Sequence, residues 1–379
     1  MIPDVVIIGG GLGGLSAAVK LANSGAKVFL YEQNTQLGGR TYSFIDNKTG
    51  DVVDNGQHLL IGAYHNTLEY LKLIGTDSFL NKQTKPKLNF YHPKYGISTF
   101  EISNFPKPFD LTAAILKYSP FSFRERHKLL KVGFALRKLD NTTENKLAHQ
   151  SVEEWLISID QSEVVRHSFW YPIVVSVMNE LPNRASAILF ARSLKKSFLG
   201  KKSDAVLLIP IVGQTELYVN EAENLLSKNK VKIFNGNGVK HIIVENGKIT
   251  GVEADRNIKS KYVISAIPYF NLPDILPHDV THKYPFGKLK LFKSVPIISI
   301  NLWFDRSVMD IDFVGLVQKN LQWVFNKHRI MCETQKPDNY ITAVISGGYK
   351  YIHLTKDELV SLAIKDLTEV FPMIKTATL

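Results

Sequence analysis

The stretch "PDVVIIGGGLGGLSAAVKLANSGAKVFLYEQ", residues 3–33, restricts the fold more than any other part of the chain. It reads as a strand, a glycine turn, a helix and a second strand. The unbroken apolar run Val5–Ile8 suits a parallel strand covered on both faces. Gly9, Gly11 and Gly14 form G-x-G-x-x-G, with Leu12 and Gly13 completing the turn. The first glycine makes the tight turn, the second lets backbone approach a pyrophosphate, and the third permits close helix–strand packing. Leu12, Leu15, Val19 and Ala22 share one helical face, and Gly25 is a natural stop. The second strand ends at Glu32, 18 residues past Gly14, where a carboxylate would accept hydrogen bonds from both ribose hydroxyls. That acid disfavours a 2′-phosphate, leaving NAD or FAD.

The next motif bears on that choice. "LGGR" at 37–40 sets Gly39 and Arg40 just beyond the second strand, where the arginine would present a forked donor to the same pyrophosphate. A second contact of this kind suits a longer, bent ligand. With G-x-G-x-x-G, then Glu, then G-G-R, the chain resembles the amine oxidase and phytoene desaturase superfamily, and that resemblance implies FAD. It also implies the fold class: α/β, a Rossmann-like FAD-binding domain with an inserted mixed-sheet and helical substrate domain.

In that superfamily the segment after G-G-R returns as a strand whose glycine lies against the flavin ring. Here this segment is "VVDNGQHLL", residues 52–60. Gly56 is then a close-approach glycine with Asp54, Gln57 and His58 around it, although a polar hairpin tip would also look like this. By the same resemblance the backbone of Val239 lies beside the adenine. The longer string "DNGQHLLIGAYHNTLEYLKLIG" resembles the hydroxysqualene dehydroxylases, as do "FWYPIVVSVMNELPNRASAILFARSL" (169–194), "LLIPIVGQTELY" (207–218) and "LWFDRSVMDIDFVGLVQKNLQWVFNK" (302–327). The resemblance runs from residue 4 to about residue 372.

It implies reduction of hydroxysqualene to squalene by reduced FAD, within squalene and hopanoid synthesis. His58 is the candidate proton donor, with a structural histidine as the alternative. Trp170, Tyr171 and Trp323 are candidates for the wall of an apolar tunnel, or simply for core. Three rival readings stay open: a carotenoid-type desaturase, an amine oxidase, and a non-catalytic lipid-binding partner of squalene-forming enzymes. An amine oxidase would carry a lysine on the strand corresponding to "IISIN" (297–301), which has none.

Expected divisions are an FAD-binding part over 1–85, a hairpin and helical substrate part over 86–205, a second FAD-binding part over 206–275, and a substrate-domain sheet with its following helix over 276–379. The hairpin is expected around Lys94–Gly96, and "FRERHKLLKVGFALRKL" has its apolar residues at helical spacing. Ser151 and Glu154 make a capping box. Superfamily members end with a glycine–aspartate strand and a helix that completes FAD binding. This sequence stops at "EVFPMIKTATL", so the resemblance implies a missing carboxyl-terminal FAD segment and weakened FAD affinity.

Composition excludes less. One cysteine, Cys332, allows no internal disulfide, and no secretory signal or spanning apolar run is visible, which fits a cytoplasmic protein. A net charge of +11, from 46 basic and 35 acidic side chains, suits either a solvated lysine-rich surface or contact with anionic lipid at the inner membrane face. The lysines form no long run and no nucleic-acid signature, so no nucleic-acid partner is expected. No metal-ligand spacing appears.

Overall fold

The computed structural model describes residues 2–103, 105, 109–332, 336 and 338–379. The chain forms two compact units: Met1–Asn55 with Asn66–Phe79 and Val212–Ser294, and Gly56–His65 with Leu80–Ile211 and Val295–Leu379.

In the first unit, β1 (Val5–Ile8) leads through the glycine turn into α1 (Leu12–Asn23) and back as β2 (Val28–Tyr31). Both strands are buried throughout. They lie at the centre of a parallel four-stranded sheet ordered Lys232–Phe234, β2, β1, Tyr262–Ser265. Helix α1 buries Gly14, Leu15, Ala18, Val19 and Ala22, and the chain leaves it through Gly25 at φ +84°. The hairpin of β3 (Ser43–Ile45) and β4 (Val52–Asp54) follows. Further along, Asn246 and Gly247 both take positive φ, turning the strand His241–Glu245 tightly into Lys248–Glu253.

The second unit holds a six-stranded sheet ordered Ile297–Trp303, Tyr340–Ser346, Trp323–Asn326, Phe313–Leu316, Lys87–His92, Gly96–Glu101. All pairings are antiparallel except that of Phe313–Leu316 with Lys87–His92. Side chains alternate across a strand, and here the alternation feeds two cores. Phe313, Trp323 and Phe325 join the helices between residues 109 and 199, whereas Val314 and Val324 pack with Ala363 and Leu367 of the helix Lys356–Val370. Ser122 with Glu125, Ser151 with Glu154 and Thr355 with Glu358 are complete capping boxes, so these helix starts are fixed by local chemistry.

The unit boundaries differ from the expected divisions at 85, 205 and 275, and strand pairing explains much of it. Leu60–Ile61 and Leu80–Lys82 both pair with Leu207–Pro210, which draws 56–65 and 80–85 into the second unit. The segment "VVDNGQHLL" therefore crosses from one unit to the other between Asn55 and Gly56.

His92 closes the expected hairpin. Its Nδ1 accepts the Lys94 N–H at 3.1 Å, which leaves Nε2–H to donate to Ser168 Oγ at 3.2 Å. Burial, then the Lys94 charge, push the imidazole pKa below its ordinary value of 6.5. The unfolded chain therefore binds this proton first, and the contribution of neutral His92 is lost as pH falls from about 6.5 through the lower folded value. Denaturation curves across that window should show wild-type stability falling with acid more steeply than that of His92→Gln.

Candidate flavin site

The first-unit cradle is built from glycine contacts that admit no side chain. A Cβ on Gly14 would stand 1.9 Å from the Gly9 carbonyl oxygen, and Gly9 itself sits at φ +99°. Gly11 caps α1 without a side-chain hydrogen bond, so the first-turn N–H groups, including those near Leu12 and Gly13, remain available to an anion. The G-G-R segment docks on the same turn. Gly38 N–H donates to the Gly10 carbonyl at 2.9 Å, and a Cβ on Gly39 would come within 3.1 Å of the Gly11 Cα. Arg40 is exposed, and its carbonyl accepts from Asn55 Nδ2 at 2.9 Å, tying it to the end of β4.

Glu32 is 6% exposed, and its carboxylate is already engaged. Gly10 N–H donates to Oε2 at 2.7 Å, while Asn34 donates to Oε1 from its backbone at 2.8 Å and its side chain at 2.9 Å. A carboxylate offers about four acceptor positions, so capacity for a hydroxyl remains, and the glutamate also braces the glycine turn. Val239 is buried beside Tyr31 and Ile8 in the same core. It follows a stretch in which Asn237 N–H donates to the Glu32 carbonyl at 2.9 Å. These residues fit a dinucleotide: a helix start with no side-chain cap for the pyrophosphate, an acid at the end of β2 for the ribose, and apolar backbone beyond it for the adenine.

Asp54 is buried, and its Oδ1 accepts from Ser43 Oγ at 2.7 Å and from the Gln214 backbone N–H at 2.9 Å. It holds β3, β4 and the chain entering residue 214 in one register. Gly56, Gln57 and His58 lie in the second unit. A Cβ on Gly56 would sit 3.6 Å from Ser299 Oγ, an ordinary contact, and His58 is exposed. Gln57 donates to the His58 carbonyl at 3.2 Å, and its Oε1 accepts from Lys327 Nζ at 2.6 Å.

Lys327 is 2% exposed and lies in a buried run with Asn326 and His328. An amine oxidase would carry a lysine on "IISIN" (297–301), and Lys327 is not among the candidate residues read from the sequence. Its signal, a lysine ending the apolar run "QWVFNK", is also how a strand ordinarily reaches solvent. A hydrogen bond to a charged group contributes about 1.5–3 kcal/mol. Lys327→Met should lower unfolding stability by about that amount. Gln57→Ala should cost less in the Lys327→Met background than alone, as a denaturant double-mutant cycle would register.

The second unit also contains a cavity of about 580 Å³, walled mainly by apolar side chains including Ile61, Leu88, Phe100, Ile115, Phe169 and Ile173. Trp170 lines it and anchors its indole N–H on Gln161 Oε1 at 2.9 Å. Tyr171 and Trp323 do not: Tyr171 packs on His167, and Trp323 lies among Phe90, Phe313 and Phe325 in the core. Ile61, in the short strand Leu60–Ile61, is three residues from the exposed His58. Among the described residues no cluster of side chains suits a metal ion, and no helix is long and apolar enough to cross a membrane.

Comparison with known proteins agrees with this architecture. The chain is 25% identical to a 15-cis-phytoene desaturase of Synechococcus elongatus, covering 97% of this chain and 80% of the relative. It is 24% identical to a hydroxysqualene dehydroxylase of Zymomonas mobilis, covering 96% of this chain and 81% of the relative. A solved oxidoreductase from Methanosarcina mazei superposes with a TM-score of 0.75 at 19% identity, over 97% of this chain and 84% of that one, a likeness of fold. Residues 12–378 match the family of flavin containing amine oxidoreductases. The chain therefore belongs to that family, and its cofactor is FAD.

Proposed function

We propose that this oxidoreductase acts on a C30 isoprenoid and carries out the reductive dehydroxylation of hydroxysqualene to squalene. The observation that carries the reading is the cavity: about 580 Å³, with apolar walls and aromatic faces from Phe100, Phe169 and Trp170. Binding pockets of this size hold small molecules, and their polar groups set orientation. Among the described residues, Lys87, Asp110 and Arg137 are the charged ones of the lining, and the rest of the wall suits a hydrocarbon better than a charged amine.

Gly9, Gly11, Leu12, Gly13, Gly14, Gly39 and Arg40 would hold the pyrophosphate, Glu32 the ribose and Val239 the adenine. When bound and reduced, FAD supplies the hydride. The remaining work falls to the chain. An allylic hydroxyl leaves as water once protonated, and the cation it leaves is delocalised. Aromatic faces tolerate that charge, and apolar walls keep water from capturing it. His58 is the proposed proton source, two residues before the strand Leu60–Ile61, whose Ile61 lines the cavity.

Anaerobic incubation with reduced FAD and hydroxysqualene, followed by extraction, should yield squalene, and phytoene with oxidised FAD should remain unchanged. Conversion of phytoene with no squalene formed would establish the second reading, a carotenoid desaturase. That reading draws support from the phytoene desaturase relatives, which match at the same level of identity.

A further inference from the structure

The helix Phe123–Arg137 buries Leu129, Val132 and Leu136 and turns its opposite face outward. On that outward face Phe123, His127 and Phe134 are exposed at intervals of four and seven residues, one stripe on a helix, while Leu130 between them is half-buried against the core. Phe123 is 77% exposed and Phe134 59%. By the same geometry Arg124 and Lys131 flank the stripe on one side, and Arg126 and Arg137 on the other. The helix Phe109–Lys117 packs alongside and adds Phe109, 64% exposed, and Leu116. Both helices wall the cavity, through Leu130, Gly133 and Phe134 on one and Leu111 and Ile115 on the other.

Exposed aromatic residues between flanking cations, at the wall of an apolar cavity, match an interfacial helix better than a water-facing one. The charge agrees in sign. Helix Phe123–Arg137 carries five Lys or Arg against one acid, Glu125, which is spent on the cap. Cations of this kind let their stems lie along apolar surface while the heads reach phosphate.

We propose that this face docks on an anionic lipid bilayer, with the stripe set into the headgroup layer, so that an isoprenoid enters the cavity between these two helices without crossing water. The proposal rests on the isoprenoid reading above for its purpose and on the surface itself for its chemistry. Asp160 sets its strength, because the carboxylate draws Lys128 at 2.8 Å and Lys131 at 2.7 Å away from an external anion.

The test is sedimentation of the FAD-loaded chain with vesicles of phosphatidylglycerol and phosphatidylcholine at several salt concentrations. Wild type should bind, more weakly as salt rises and hardly at all to phosphatidylcholine alone. The double variant Phe109→Ser and Phe123→Ser should bind roughly tenfold or more weakly, with flavin content and thermal unfolding unchanged. Asp160→Asn should bind more tightly than wild type. Failure of wild type to bind at low salt, or equal binding by the double variant, would overturn the proposal. A parallel turnover assay with detergent-dispersed substrate separates the two ideas. Turnover without vesicle binding removes the docking surface alone, and stripe-dependent vesicle binding without turnover removes the isoprenoid reading alone.

Discussion

Gly14→Val should abolish retention of FAD while leaving most of the second unit's structure intact. The reason is distance: the new Cβ would meet the Gly9 carbonyl oxygen at 1.9 Å, and that atom is backbone within the turn itself. Relief requires α1 and β1 to move apart. Overpacking even where neighbours can yield costs about 1–3 kcal/mol, and this neighbour belongs to the cradle. If about 3 kcal/mol falls on the binding-competent geometry, FAD affinity drops roughly a hundredfold. Gly13→Ala is the control. Its Cβ would find only Ala266 Cβ at 3.9 Å, so the turn keeps its shape. Fluorescence titration with FAD measures both. Equal affinities for wild type and Gly14→Val would mean that the glycine turn does not hold the cofactor.

Phe169→Ala is expected to be the most damaging single change in the second unit. Its ring packs against Phe90, Phe100, Tyr118, Phe121 and Trp170, with centroids 5.1–6.2 Å away, and it is 4% exposed. Truncation leaves those rings with no partner on one side and merges the lost volume with the existing cavity. Phe→Ala in a core costs about 3–5 kcal/mol, set against typical stabilities of roughly 5–15 kcal/mol. Urea denaturation should show a loss of that order. Phe123→Ser, a change of similar chemistry on the outward face of a neighbouring helix, should shift stability by no more than about 0.5 kcal/mol. A Phe169→Ala protein as stable as wild type would mean the aromatic cluster is not the keystone of this core.

Much of the fold was legible because the relevant chemistry is local. The glycine turn, the stop at Gly25, the capping box at Ser151 and Glu154, and the Asn246–Gly247 turn each depend on residues a few positions apart. The residues that escaped the sequence depend on distant partners. Asp54, expected around Gly56, shows its bracing role only when Gln214, 160 residues away, donates to it. Lys327 reads as a strand end until Gln57 Oε1 accepts a hydrogen bond from it across 270 positions. The assignment of residues 56–65 follows from a pairing with Leu207–Pro210 that no local pattern announces. The helix Phe123–Arg137 shows a subtler limit. Its apolar residues line both faces, and periodicity alone could not tell the buried stripe from the outward one.

The measurement that tests the account most directly is the flavin spectrum of the FAD-loaded chain, reduced without oxygen and then mixed with hydroxysqualene. The oxidised flavin bands should return as squalene accumulates, one squalene for each flavin reoxidised, with water as the other product. A flavin that stays reduced beside unconsumed hydroxysqualene, and is formed instead when the oxidised protein meets phytoene, would contradict it.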